Sequence, residues 1–272
     1  MSNTIRVNDR GFTPPIVKNL IIINVIFFIA TILLQNRGID LAGPLGLRYL
    51  TAPDFRPWQI ITYMFMHGSF NHIFFNMFAI WMFGSVLERY LGWKRFLSYY
   101  FVTGIGAALV HYLIITIEIY PTIALMNDFI SQPSLDSLKY LLDNNGIDRL
   151  APNFHSFYQY AAVHPNEMTS LAESMMTLKG SFLNSFNVIG ASGAVFGLLL
   201  AFGMFFPNSE IYLYFLIPIK AKWLVIGYGV IELLTGIYST NDGIAHFAHL
   251  GGMIFGFFMI LYWKKQGSAN NG

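Results

Sequence analysis

The sequence contains no cysteine and few charged residues. The absence of cysteine excludes disulfide bonds and a thiolate nucleophile. Charged side chains make up 11% of the chain, about half the fraction that is typical of a soluble domain. The formal net charge of +2 is small, and no nucleic-acid partner is predicted. This scarcity of charge points to a membrane environment.

Hydrophobic residues make up 55% of the chain, and they gather into six apolar stretches. Each approaches the length of roughly 20 residues that a helix needs to cross a bilayer. The stretches are Ile16–Leu34, Phe70–Leu87, Phe96–Ile119, Phe186–Phe206, Trp223–Tyr238 and Ile244–Trp263. Because a bilayer offers no water to the backbone, unbroken apolar runs of this kind form helices. We therefore predict an all-α polytopic membrane protein with a bundle of six transmembrane helices.

Lysine and arginine are distributed unequally between the two ends of these stretches. If the ends are assigned alternately, ten basic residues fall in short segments on the side of the N-terminus, and six fall in longer segments on the other side. Basic residues are enriched in short cytoplasmic loops, so both termini are predicted to be cytoplasmic. The first stretch lacks a small-residue cleavage site after it and is interpreted as a retained helix. We expect the protein in a bacterial inner membrane.

The predicted domain organisation is one membrane domain over residues 1–263, followed by a disordered cytoplasmic tail over residues 264–272. A long external loop, residues 120–183, joins the third and fourth spans. Two segments of this loop, Leu135–Leu142 and Met168–Leu178, have apolar residues at helical spacing. The loop is therefore predicted to be a partly helical insertion.

A serine lies among glycines at the start of the fourth stretch. Ser192 belongs to the run Gly190–Gly197, whose small residues leave open space around the hydroxyl. Such a run suits a nucleophile, and it equally suits close packing between transmembrane helices. The choice between the two depends on whether a base and an oxyanion site occur at the same depth.

Polar residues in the second and sixth stretches supply those groups. His72 and Asn76 are four residues apart and share one helix face, and His249 shares a face with Gly252. At about 1.5 Å per residue, these residues and Ser192 lie in one shallow layer near the external surface. We therefore predict Ser192 as the nucleophile, His249 as the general base, and His72 with Asn76 as donors to an oxyanion.

Together these motifs resemble the signature of the rhomboid intramembrane serine proteases. The matching segments are Gly190–Gly193, Ala248–Gly252 and the His72/Asn76 pair, and the six-span layout with a cytoplasmic N-terminus is also similar. The resemblance implies a serine endopeptidase that cleaves transmembrane segments of membrane proteins within the lipid bilayer. It implies a serine–histidine dyad without an acidic third member, and no cofactor.

The resemblance also implies supporting roles for other residues. Gly190 would keep the backbone open near the serine, and Phe196 would pack against the His249 ring. Glu88 matches an acidic position of the family that has a structural role. From its position at the start of the second span, His67 is expected to reach headgroups or water. His246 lies one turn before His249 and is expected to have a structural role, with orienting His249 or capping the site as the alternative. Glu232, inside the fifth stretch, has no assigned partner, since either a hydroxyl or a histidine would serve.

Three other functions are alternatives to a serine protease. Intramembrane metalloproteases need a His-Glu-x-x-His motif, which this sequence lacks, so no metal site is predicted. A non-proteolytic rhomboid-like protein would bind client membrane helices, but such proteins usually lack the serine or the histidine. A transporter would place its polar site nearer the bilayer centre, in broken helices with repeat symmetry. The oligomeric state and the natural substrate stay open.

Overall fold

The computed structural model describes residues 12–145, 154–213, 216–238 and 245–269. Five of the helices in this part of the chain are long and apolar enough to cross a membrane. They are α1 (Pro15–Gln35), the continuous segment Phe70–Leu91, α6 (Trp93–Ser131), α11 (Ala221–Tyr238) and α12 (His246–Ala269). A shorter apolar helix, α10, covers Ser192–Phe205. The predicted all-α polytopic membrane fold is thereby confirmed.

Shorter elements connect these helices. They are α2 (Ala42–Leu45), β1 (Leu47–Arg48), α3 (Gln59–Thr62), α7 (Leu135–Asn145), α8 (Phe154–Val163), α9 (Met168–Ser185), β2 (Asn187–Val188), β3 (Glu210–Leu213) and β4 (Ile217–Lys220). Strands β3 and β4 form an antiparallel hairpin between α10 and α11, in which Glu210 lies opposite Lys220.

The second span is a composite helix. It consists of α4 (Phe70–Ala79), a π-helical turn over Ile80–Gly84, and α5 (Ser85–Leu91). Ser69 caps the start of α4, because its hydroxyl accepts a hydrogen bond from the backbone N–H of His72 at 3.2 Å. The π turn begins four residues after Asn76, and such turns frequently mark functional sites.

Helix α10 is shorter than the predicted fourth span, Phe186–Phe206. It begins only at Ser192, and the residues before it run through β2 and a turn. Gly190 interrupts the helix because its φ of +128° lies in a region that residues with a Cβ rarely adopt. Its backbone N–H donates to the carbonyl of Tyr63 at 2.9 Å. Ser192 consequently stands at the first position of a helix rather than inside one.

Two other predicted boundaries differ from the structure. Helix α6 was expected to end at Ile119 but continues through Pro121 to Ser131. Helix α12 continues to Ala269, through most of the segment predicted as a disordered tail. Tyr262 accepts a hydrogen bond from Gln266 across one turn at 2.7 Å, which supports the helix beyond the apolar stretch.

The chain divides into two compact units. The first contains residues 1–46, 58–111 and 188–272, and the second contains residues 47–57 and 112–187. The second unit is helical over most of the predicted insertion and buries its own apolar side chains, including Met126, Phe129, Leu138 and Met175. Within it, Tyr49 and Thr116 share a hydrogen bond of 2.8 Å. The external position of residues 120–183 stays a prediction.

Helix α1 is fixed in the first unit by a buried carboxylate. Glu88 is 5% exposed, and its two oxygens accept hydrogen bonds from the backbone N–H groups of Ile16 at 3.1 Å and Val17 at 2.8 Å. The first N–H groups of a helix have no partner within the helix, and a negative charge at this end is favourable. This arrangement gives Glu88 the structural role that the family resemblance implied.

Helices α10 and α12 approach each other through glycine. A Cβ on Gly252 would lie 1.9 Å from the backbone oxygen of Gly193, which is too close for any side chain. A Cβ on Gly193 would in turn lie 2.3 Å from the Cβ of Ala107 in α6. The absence of side chains at these positions lets the two helices touch along their backbones.

We expect Glu88→Gln to lower the free energy of unfolding by about 1–3 kcal/mol, because the buried N–H groups of Ile16 and Val17 lose a charged acceptor. Thermal unfolding in detergent measures the change. The matched control is Glu118→Gln, which alters an exposed side chain and should leave the unfolding temperature unchanged. Equal stability of Glu88→Gln and the parent would contradict the capping role.

We expect Gly252→Ala to destabilise the protein by about 3 kcal/mol or more, because the new methyl group must push α12 away from the backbone of Gly193. The control is Gly227→Ala in α11, where a Cβ would meet nothing within 4 Å. The same unfolding measurement compares the two variants. If both behaved alike, the close contact between α10 and α12 would not be a constraint on the fold.

Candidate active site

The structure brings Ser192 and His249 together. Ser192 is the first residue of α10, and His249 lies in the first turn of α12. The hydroxyl oxygen of Ser192 is 2.9 Å from Nε2 of His249. The residue at the N-cap of this helix is Ala191, and the Ser192 hydroxyl is directed to the imidazole. This geometry is that of a nucleophile next to a general base.

Phe196 holds the plane of the histidine ring. It lies one turn after Ser192 on α10, and its ring stacks on that of His249 with centroids 4.3 Å apart and planes inclined by 4°. On its other side, Phe196 makes an edge contact with Tyr228 of α11. The stacking restricts rotation of the imidazole about its side-chain bonds and keeps Nε2 directed toward Ser192.

His72 lies next to the same serine. A Cβ built on Gly190 would lie 2.7 Å from Nε2 of His72 and 3.7 Å from Oγ of Ser192. Both atoms are therefore close to the position that a side chain at residue 190 would occupy. Gly190 therefore leaves open the space between the serine and a hydrogen-bond donor. The backbone N–H of Ser192, at the first helical position, also lacks a partner within its helix.

Asn76 lies one turn after His72 on α4 and is 5% exposed. Its side-chain amide donates to the backbone carbonyl of His72 at 3.0 Å. This bond orients the amide of Asn76 along the face of α4 that carries His72. The predicted oxyanion donors thus share one helix face, as their spacing indicated.

His67 is buried rather than directed to headgroups or water as expected from its sequence position. It is 2% exposed, and its ring packs edge-on against His72 with centroids 4.9 Å apart. Neither ring nitrogen has a hydrogen-bond partner within the described part of the chain. Burial lowers the pKa of His67 to about 4, so the imidazole is neutral at pH 7.

Sequence reasoning did not connect Glu232 with the site. The structure places its Oε2 atom 2.6 Å from Nδ1 of His246 and 3.0 Å from Nδ1 of His249. All three side chains are buried. The second contact has the length of a hydrogen bond, although the imidazole N–H does not point straight at the oxygen. The family resemblance implied a pair without an acidic member, and the structure adds a carboxylate behind the histidine.

A sequence signal for this cluster existed but was incomplete. Glu232 is the single acidic residue of α11, and His246 and His249 are three residues apart on one face of α12. What the sequence lacks is the rotation of α11 that directs Glu232 toward α12. The oxygen and the imidazole nitrogens of these three residues lie within 4.8 Å of one another, so they could also hold a metal ion. The absence of a metal stays a prediction.

Comparison with known proteins identifies the family. The rhomboid domain matches residues 54–119 and 152–266 of this chain. A mitochondrial rhomboid protein of Schizosaccharomyces pombe, which is named as uncharacterized, is 27% identical over 225 residues, covering 78% of this chain and 53% of that protein. Rhomboid-like protein 11 of Arabidopsis thaliana, named as chloroplastic, is 36% identical over 98 residues, covering 35% and 32% of the two chains.

A shorter match links the chain to a bacterial protein. YdcA of Bacillus subtilis, which is named as a candidate rhomboid protease, is 44% identical over 48 residues, covering 18% of this chain and 24% of YdcA. The chain spans about half of the length of these relatives or less. Because the rhomboid domain covers more than half of the sequence, and the helices form the expected membrane bundle, this chain belongs to the rhomboid family.

Proposed function

We propose that this protein is an intramembrane serine endopeptidase that cleaves transmembrane segments of membrane proteins. The observation that carries the proposal is the 2.9 Å contact between the Ser192 hydroxyl and Nε2 of His249. Stacking of Phe196 on His249 supports it, because a base must keep a fixed direction relative to its nucleophile.

The proposed reaction follows from these positions. Ser192 attacks the carbonyl carbon of the scissile bond while His249 takes the hydroxyl proton on Nε2. His72, Asn76 and the backbone N–H of Ser192 stabilise the negative oxygen that develops. His249 then gives its proton to the leaving amine, and an acyl-enzyme forms. A water molecule, deprotonated by His249, releases the acid and restores the serine.

Substrate entry is proposed to occur laterally, between the second span and α11. Only Ala221, Leu224, Val225 and Glu232 are buried in α11, so most of this helix faces outward. A substrate helix also has to unwind before its carbonyl can reach Ser192, since helical amides are shielded by their own hydrogen bonds. We therefore expect small or polar residues near the cleaved bond.

The proposed orientation places both termini in the cytoplasm, and the proposed membrane is a bacterial inner membrane. The excess of basic residues on one side supports the orientation. Reporter domains fused after Gly272, one active only in the cytoplasm and one only outside it, test this orientation. Activity of the external reporter would contradict it.

A non-proteolytic membrane-helix binder is the alternative function. Some relatives carry the name rhomboid-like or uncharacterized, which is compatible with either activity. Retention of both Ser192 and His249 at hydrogen-bond distance favours the protease. Purified protein that bound a single-helix reporter substrate without producing fragments would support the binder instead.

We expect an activity-based fluorophosphonate to label the detergent-solubilised protein, and we expect labelling and cleavage of the reporter substrate to be lost in Ser192→Ala. His249→Ala should lose both as well, because the hydroxyl then has no base. In-gel fluorescence and fragment analysis measure the two readouts. Ser181→Ala, which removes an exposed hydroxyl in α9, is the control, and unchanged labelling of Ser192→Ala would refute the proposal.

We expect His72→Ala and Asn76→Ala to lower kcat on the order of 10²-fold with little change in KM, because each removes a donor that acts mainly in the transition state. Steady-state cleavage of the reporter substrate gives both parameters. The control is Asn71→Ala, which changes an exposed amide on the same helix. A rise in KM with constant kcat would assign these residues to substrate binding instead.

A further inference from the structure

Burial of the Glu232 carboxylate is unfavourable in free energy unless other groups compensate its charge. Glu232 is 8% exposed in a helix whose other residues are uncharged apart from Lys222 at its start. An ionised carboxylate in such surroundings is stable only when donors surround it. The structure supplies two imidazoles from the next helix, at 2.6 Å and 3.0 Å from the same oxygen.

The hydrogen bonds around His246 determine where its proton lies. Nδ1 of His246 is 2.6 Å from Oε2 of Glu232 and 3.0 Å from the hydroxyl of Thr235. That hydroxyl donates its own hydrogen to the carbonyl of Ile231 at 2.7 Å, so it can only accept from His246. Since both neighbours of Nδ1 are acceptors, Nδ1 carries the proton and donates it toward the carboxylate.

The same reasoning applies to His249. Its Nδ1 atom faces the carboxylate of Glu232 at 3.0 Å, and its Nε2 atom faces the hydroxyl of Ser192 at 2.9 Å. A carboxylate accepts and does not donate, so the proton belongs on Nδ1. Nε2 is then unprotonated and able to take the proton of the serine. Contacts of this kind are often poorly aligned without substrate and tighten when it binds.

We propose that Glu232 is a positioning residue for His249 and that His246 holds its carboxylate in place, an inference that rests on the proposed protease activity. The proton that leaves Ser192 moves to Nε2 of His249, the Nδ1 proton stays on the ring, and Glu232 remains ionised throughout. The imidazolium that forms is next to a negative charge in a site with little water, where such an interaction is stronger than in solution.

Other titratable groups near His249 cannot replace this charge. His72 from α4 and His111 from α6 lie within electrostatic range of His249. Both are imidazoles, which are neutral or positive and so supply no negative charge. Among the described residues that face His249 from α4, α6, α11 and α12, Glu232 is the acidic one.

The principal test is Glu232→Gln in the full chain. The amide has the same shape but no charge, and its N–H group can donate to Nδ1 of His249 and so favour the wrong tautomer. We expect kcat and the rate of phosphonate labelling to fall on the order of 10²-fold while KM is unchanged. The matched control, Glu118→Gln, should retain the parent kcat. Thermal unfolding reports whether each variant is folded.

A second pair of variants covers the case in which Glu232→Gln does not fold. His246→Gln keeps an N–H donor for the carboxylate, whereas His246→Leu removes it. We expect His246→Gln to retain several times more kcat than His246→Leu at equal KM. Equal kcat in the folded fractions of the two variants would overturn the role of His246 in holding Glu232.

The outcomes separate this inference from the proposed function. If the parent protein neither cleaves the reporter substrate nor reacts with the phosphonate, the protease proposal fails. If the parent is active and folded Glu232→Gln has the same kcat, only the role of Glu232 fails. Treatment with 1,10-phenanthroline should leave activity unchanged. Loss of activity that Zn²⁺ restores would instead show a metal ion held by Glu232, His246 and His249, and would overturn the positioning role.

Discussion

The backbone contact between α10 and α12 is the constraint on which the site depends. Gly252 leaves no room for a side chain against the carbonyl of Gly193. Ser192, the proposed nucleophile, directly precedes Gly193, and His249, the proposed base, lies one turn before Gly252. In a bilayer the hydrophobic effect does not drive helices together, so close packing and interhelical hydrogen bonds must do so. The short Ser192–His249 distance is a direct consequence of that packing.

Ser192 and His249, the proposed reactive residues, both lie at helix N-termini, which has electrostatic consequences. Because α10 begins at Ser192, its unpaired backbone N–H groups and its partial positive charge surround the serine. An anionic intermediate is favoured there. The same geometry opposes a positive charge on the histidine in the first turn of α12. A buried carboxylate behind that histidine offsets this effect.

Two buried carboxylates organise the first unit in different ways. Glu88 accepts hydrogen bonds from the backbone of α1 and ties the first helix to the second span. Glu232 accepts a hydrogen bond from His246 and lies 3.0 Å from Nδ1 of His249, and these contacts join α11 to α12. A charge inside an apolar bundle acts over a longer range than a van der Waals contact because the surroundings screen it weakly. Each carboxylate can therefore fix one helix most of whose side chains are not buried within the protein.

Much of this protein follows from its sequence alone. Apolar stretches and the need to satisfy backbone hydrogen bonds determined an all-helical membrane fold, and small residues together with histidine spacing selected Ser192, His249, His72 and Asn76. Local sequence did not determine that α10 starts at Ser192, because the turn at Gly190, where φ is positive, includes a hydrogen bond to Tyr63 in a distant segment. Nor did it determine the partner of Glu232. The apolar pattern of a helix determines which of its faces avoid polar contacts. The rotation of α11 against α12, however, is decided by packing between the two helices. Only the tertiary structure therefore directs the carboxylate of Glu232 to His246 and His249.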